Sequence, residues 1–228
     1  MLTLDNVHAR HAAKKKEIEA RLDEFAAIPA RGDAALLSEL SFCICAANSS
    51  AAAAGRAQQK LAASGPENGG PTARALLFSD DAPAISAVLL ASHVRFHQNK
   101  AKYLIEARKK LFDEKGLEKA LAGDRMAGTA RALALRNLLA DEILGLGMKE
   151  AGHFLRNAGL ASNFAILDRH ILKNLVSLRV VGRLPKTLTK KRYLAIEKKM
   201  WKFCEKAGIP MAHLDLLMWS EQTGRIFK

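Results

Sequence analysis

Cysteine is scarce: Cys43, Cys45 and Cys204 are the only three in 228 residues. An odd set of thiols in apolar surroundings fits reduced, buried side chains and an intracellular protein, and it falls short of the four thiolates that a structural zinc or an iron–sulfur cluster takes from cysteine alone. Long apolar runs are missing as well. No stretch approaches the roughly 18 apolar residues that span a bilayer, and "MLTLDNVHARHAAKKKEIEARL" has charged faces where a signal peptide would have an apolar core. Neither secretion nor a membrane span is expected. Acidic residues are in deficit: 36 Lys and Arg stand against 23 Asp and Glu, a net charge of +13. That balance points to a polyanionic partner, nucleic acid first and an acidic membrane surface second.

A sustained two-residue apolar alternation is absent too, so strands are not expected. What is present is a 49% hydrophobic composition and apolar residues at helical spacing. This pattern runs through "LLSELSFCICAANSSAAAAGRAQQKLAAS", "APAISAVLLASHVRFHQNKAKYLIEARKKLF" and "GTARALALRNLLADEILGL". The chain therefore reads as all-α. "ASGPENGGPTAR", 63 to 74, is a loop between helices. Later helices are expected at 149–158, 168–179, 189–207 and 210–221, with "VVGRLPKTLT" a turn-rich connection and "TGRIFK" an irregular tail.

The stretch "GLGMKEAGHFL", 145 to 155, carries the chemistry. A helix ends near Leu144, Gly145 and Gly147 permit a tight turn, and a second helix begins at Met148 or Lys149. The unpaired N–H groups of that helix start, aided by its dipole, suit a DNA phosphate and would grip the backbone without reading sequence. An ordinary helix-ending glycine is the competing reading of the two glycines alone. Lys149 favours the first. A lysine in the first helical turn is badly placed for the helix dipole, so its position suggests a task other than stability. The same dipole favours the neutral amine, which is the nucleophilic form. Asp168, directly before "RHILKNLV", is by itself a good helix N-cap, worth about 1 kcal/mol.

"LGLGMKEAGHFLRNAG" followed by "FAILDRHIL" resembles the helix-hairpin-helix-Gly/Pro-Asp superfamily of DNA glycosylases, most closely the archaeal-type 8-oxoguanine DNA glycosylase/AP lyase family. The interval of nineteen residues from Lys149 to Asp168 matches that superfamily's pattern. The resemblance implies that Lys149 attacks the sugar and that Asp168 assists. Displacing a base from C1′ passes through an oxocarbenium-like state that a carboxylate stabilises, and an amine that attacks C1′ leaves an imine from which the 3′ phosphate departs by β-elimination.

The resemblance also implies two helical lobes with a DNA cleft between them: an N-terminal helix, 1–31, joining the C-terminal lobe; a central lobe, 32–143; and the hairpin with the C-terminal lobe, 144–228. A flipped base must be stacked and bonded along its edge. His153 lies one turn after Lys149 on the same helix face and suits that role or a partly buried structural one. "SFCICAANSSA" resembles the helix and turn whose Asn enters the duplex, which gives Asn48, with Ser49 and Ser50 as phosphate donors. "VRFHQNKAKYL" offers Arg95 to the backbone and Phe96 as a stacking ring, against plain core packing for Phe96. In "LDLLMWSEQTGRIFK" the resemblance makes Trp219 the ring that stacks on the base and Lys228 the closing group of the pocket, its carboxylate or side chain contacting the damaged guanine. Arg169, Lys100, Lys102, Arg156, Lys173 and the "KKR" at 190–192 are expected as phosphate contacts whose affinity falls with salt.

The missing four-cysteine cluster argues against the iron–sulfur branch of the superfamily, and the N-terminal domain of the eukaryotic-type enzymes is not expected. No metal is expected from side chains and no cofactor beyond a monovalent cation, which the resemblance implies on hairpin backbone carbonyls. The expected protein is a bifunctional, monomeric enzyme of base excision repair in a prokaryotic cytoplasm, associated with the nucleoid, acting on double-stranded DNA that contains 8-oxoguanine. Two rivals are a glycosylase of the same superfamily for another damaged base, and a hairpin module that only binds DNA.

Overall fold

A computed structural model describes residues 2–63, 75–122 and 128–227; the Gly/Pro-rich loop from 64 and Lys228 lie outside the described residues. Among these, eleven α-helices and no strands occur, in the order α1 (Val7–Ala26), α2 (Asp33–Ala46), α3 (Ala51–Ala63), α4 (Ala82–Ala91), α5 (His97–Arg108), α6 (Gly116–Ala122), α7 (Gly128–Glu142), α8 (Met148–Asn157), α9 (Arg169–Ser177), α10 (Lys190–Ala207) and α11 (Met211–Thr223). The four later helices expected from sequence all form, with ends moved by one or two residues. Two of those shifts have a chemical reason. Asp168 and Thr189 stand outside their helices as N-caps, accepting from Ile171 N at 2.8 Å and Arg192 N at 3.3 Å.

The chain divides into two compact units, Ile28–Phe154 and Met1–Ala27 with Leu155–Lys228. The division falls inside α8, after Phe154, so the hairpin and Lys149 group with the central helices. Each unit is built around one helix that is apolar on nearly every side, the pattern of a fully enclosed helix. In the first unit this is α2, with Leu36, Leu37, Leu40, Phe42, Cys43, Ile44 and Cys45 buried, packed against α3 and α5. In the second it is α11, with Met211, Leu214, Leu216, Leu217 and Met218 buried, packed against α1, α9 and α10.

The outer helices show one buried stripe. In α10 this is Tyr193, Ile196, Glu197, Met200 and Cys204, at helical spacing, while Lys190, Lys191, Lys198, Lys199 and Lys202 face outward. The three cysteines are buried thiols outside any disulfide, and burial pushes those of Cys45 and Cys204 up to about 12, so they act as small core residues.

Candidate active site

The turn before α8 is built as its two glycines suggest. Leu146 N donates to Ile143 O at 3.1 Å, closing a four-residue turn whose third position, Gly145, has φ +88°, a value other residues reach only with strain. A Cβ at Gly145 would also stand 2.8 Å from Cδ2 of Tyr103 and 3.5 Å from Cγ2 of Ile44. The glycine is required twice, for its dihedral and for the close approach of two elements. Gly147 then opens α8, its carbonyl accepting from Ala151 N at 2.9 Å and its N–H donating to Glu150 Oε2 at 3.3 Å. That back-reaching bond is half of a capping box. The other half is absent because glycine has no side chain, which leaves the first helical N–H groups for an outside acceptor.

Lys149 follows in the first turn of α8, with 24% of its side chain exposed and its Nζ 3.0 Å from Glu150 Oε1. This ion pair offsets the unfavourable position of a cation at a helix start. One turn on, His153 is buried, its ring edge-on to Phe42 at 5.6 Å and 88°.

Beside the turn lies a cavity of about 330 Å³. Its walls carry Asn48, Phe96, Gly145, Gly147 and Glu150, and Asn99, Lys100 and Tyr103 from α5. Besides Gly145, two of these residues hold left-handed backbone, Asn48 at φ 55° and Phe96 at φ 58°. Asparagine tolerates that region, whereas phenylalanine does not. Phe96 is 55% exposed, so core packing does not explain its strain, and the core alternative for this ring is excluded. Arg95 N donates to Ser49 Oγ at 2.9 Å, tying the two loops together, and Arg95 and Ser50 are exposed.

Lys100 departs from its expected role. Instead of facing solvent it is 4% exposed, and its ammonium donates to Cys45 O at 2.9 Å, Ala47 O at 2.5 Å and Ser49 Oγ at 3.2 Å. It caps the carbonyl end of α2 and shapes the turn that presents Asn48. Burial pulls its amine below the ordinary lysine value. Arg156 is the second correction. Buried at 3% exposure, it pairs through Nη1 with Asp215 Oδ2 at 2.6 Å, so it cannot serve as a surface phosphate contact. Lys102, Arg169, Lys173 and residues 190–192 are exposed as expected.

In the other unit Asp168 is partly exposed and caps α9 through Oδ1; its Oδ2 makes no hydrogen bond among the described residues. Trp219 on α11 stacks on Phe227 with centroids 5.9 Å apart and planes 30° apart, and the Arg225 guanidinium lies 4.8 Å above the Phe227 ring. Phe227, Tyr103, Asn99 and Glu150 were not expected as site residues. Only Glu150 left a readable signal, as an acid three residues after the helix-opening glycine. Among the described residues no group of three or more His, Cys, Asp or Glu could hold a metal ion, and no helix is long and apolar enough to cross a membrane.

A family model described as 8-oxoguanine DNA glycosylase matches residues 18–209. The chain belongs to the 8-oxoguanine DNA glycosylase family. It is 30% identical over 227 residues to an 8-oxoguanine DNA glycosylase/AP lyase of Korarchaeum cryptofilum, spanning 100% of this chain and 98% of that one. A protein of the same name from Fusobacterium nucleatum is 47% identical over 135 residues, 59% of this chain and 61% of that relative.

Solved members share the fold. The crystal structure of the 8-oxoguanine DNA glycosylase of Thermotoga maritima gives a TM-score of 0.81 at 29% identity, covering 99% of this chain and 98% of that one. That of the Methanocaldococcus jannaschii 8-oxoguanine glycosylase/lyase in complex with 15mer DNA containing 8-oxoguanine gives 0.78 at 28% identity, covering 94% and 93%.

Proposed function

We propose that this protein excises 8-oxoguanine from DNA and cleaves the resulting abasic strand, with Lys149 as nucleophile and Asp168 as the assisting carboxylate. The observation that carries the reading is the glycine turn that sets Lys149 in the first turn of α8, followed nineteen residues later by a carboxylate at the start of α9, in a member of this family. Lys149 Nζ forms a bond to C1′ as the bond from C1′ to the base breaks. The Asp168 carboxylate stabilises positive charge on the sugar during that step. The sugar ring then opens to an imine on Nζ, C2′ loses a proton, and the C3′–O bond breaks with departure of the 3′ phosphate.

The partner is duplex DNA, as the basic composition and the relative bound to DNA with 8-oxoguanine support. The helix-start N–H groups after Gly147, with Ser49, Arg95 and Arg169, hold phosphates; Asn48 enters the duplex; and His153, Phe96 and Trp219 contact the flipped base. A monovalent cation suits the hairpin, where the carbonyls of Leu144, Gly145 and Leu146 accept no backbone hydrogen bond among the described residues. The enzyme acts as a monomer in the cytoplasm, on nucleoid DNA.

Borohydride reduction tests the mechanism. A covalent adduct with 8-oxoguanine duplex should form with the native chain. Lys149→Gln should form none while binding the duplex within about threefold, because only a reacting atom is lost. A Lys149→Gln protein that still traps DNA removes Lys149 from the reaction; a native chain that binds but never traps leaves a DNA-binding module.

A further inference from the structure

The segment 164–167 ahead of Asp168 is buried at every residue, yet it is neither helix nor strand. Its backbone polar groups must then find partners elsewhere, because an unpaired buried amide costs about as much as a lost hydrogen bond. Side chains supply them. Ala165 N donates to Glu197 Oε1 at 3.1 Å, Tyr193 donates its hydroxyl proton to Ala165 O, Leu167 N donates to the Tyr193 hydroxyl at 3.4 Å, and Ile166 N donates to Asp215 Oδ1 at 3.0 Å. Asp215 in turn is held by Arg156, whose guanidinium also donates to Asn157 Oδ1 at 3.1 and 3.3 Å. At the end of this strap Asp168 N donates to Ile166 O at 2.7 Å, and its carboxylate caps α9.

Two buried carboxylates and a buried guanidinium are an expensive way to anchor four residues, since an apolar core of equal volume is often as stable. Their hydrogen bonds do something that apolar packing does not: they fix the strap residue by residue, with no freedom to slip along its axis. Burial holds the Asp215 carboxyl up to about 6 despite Arg156, and the nearby Asp168 charge acts in the same direction. The strap is therefore kept at the cost of desolvating charge next to Asp168.

We infer that Tyr193, Glu197 and Asp215 are positioning residues, which set the strap so that the Asp168 carboxylate is presented at one fixed place for the reaction. This rests on the proposed role of Asp168. In a single-turnover excision assay on 8-oxoguanine duplex, Tyr193→Phe removes both hydroxyl contacts and keeps the ring in the core. It should slow the chemical step roughly 3–10-fold, the equivalent of one hydrogen bond at about 1.4 kcal/mol per tenfold, and leave duplex affinity within about twofold. Glu197→Leu should behave alike, and Glu197→Gln, whose amide oxygen still accepts from Ala165 N, should recover the native rate.

The deciding measurement places Tyr193→Phe in an Asp168→Asn background. There it should have no further effect on rate, because the group it positions has lost its charge. Equal fold-losses in both backgrounds, or a Tyr193→Phe enzyme as fast as the native chain, would overturn the inference. An Asp168→Asn enzyme that keeps full rate would instead remove the role of Asp168, and the positioning role with it.

Discussion

Alanine at Gly145 should damage this protein far more than alanine at Gly147, although the two glycines stand two residues apart in one turn. At Gly145 two penalties act together. Left-handed backbone at φ +88° costs an alanine about 1–2 kcal/mol. The new Cβ would also meet the Tyr103 ring at 2.8 Å, an overpacking that typically costs about 1–3 kcal/mol. At Gly147 φ is not positive, and the single near atom is the end of the Glu150 side chain at 3.2 Å, which can swing away. An alanine N-cap there costs about 1 kcal/mol or less.

Urea unfolding should give Gly145→Ala a loss of about 2–5 kcal/mol, and at roughly 2–4 °C per kcal/mol a drop in Tm of about 4–20 °C. The close approach can be separated from the dihedral in a double-mutant cycle. Tyr103→Ala will cost stability of its own, but in that background Gly145→Ala should be less damaging by about 1–3 kcal/mol. Duplex affinity should fall with Gly145→Ala even where the protein is fully folded, because the turn aims the start of α8. Equal costs at the two glycines, or a Gly145→Ala penalty untouched by removal of the ring, would refute the account of the turn.

Two further outcomes follow from other strained or buried groups. Phe96→Gly should leave stability unchanged or raise it by about 1 kcal/mol, since it relieves left-handed strain at a ring that buries little, while excision slows; a large loss of stability with normal excision would mark Phe96 as a packing residue. Asp215 makes stability depend on pH. Its carboxyl titrates near 6 when folded, above its ordinary value, so the folded state holds the proton more tightly. The stability this group contributes is full below pH about 4 and is lost as pH rises through about 6. Asp215→Asn lacks this component. Arg156, Asp168 and Cys204 are the charged or titratable groups facing it, and urea unfolding of both proteins should show the native chain's relative advantage shrinking from pH 4.5 to 7. A difference that stays flat across that range would rule the dependence out.

How much of this could be read in the sequence depends on whether a residue acts through its neighbours in the chain or through distant ones. The helical spacing of the later segments, the cap Asp168 and the turn at Gly145 are local patterns with local causes, and each was legible; Thr189, expected as the first residue of its helix, is the cap instead. Lys100 and Arg156 were misread because, among 36 basic side chains, residue type alone does not separate a buried cation from an exposed one. Two signals were present nonetheless. Lys100 lies on the buried stripe of α5 with Ala101, Leu104 and Ala107, and Asp215 sits inside the apolar run "HLDLLMW", where an acid needs a cationic partner. The left-handed Phe96 had no such signal, since its dihedral is imposed by the loop joined to Ser49.

The two readings of Asp168 open at the sequence level, the helix cap that the structure shows and the proposed assisting carboxylate, are compatible. A carboxylate that is to stabilise charge on a sugar works best if it is held in place before the substrate arrives, because then no reorganisation accompanies the reaction. The cap supplies that restraint. Oδ1 accepts from Ile171 N at 2.8 Å, which restrains the side chain while Oδ2 makes no hydrogen bond among the described residues. For the same reason Asp168→Asn is a sharp probe: the amide oxygen can still cap α9, so the fold should lose less than about 1 kcal/mol while the charge disappears entirely. A rate loss much larger than the stability loss therefore reports on charge alone, and equal losses in affinity and turnover would mean that Asp168 does no more than begin a helix.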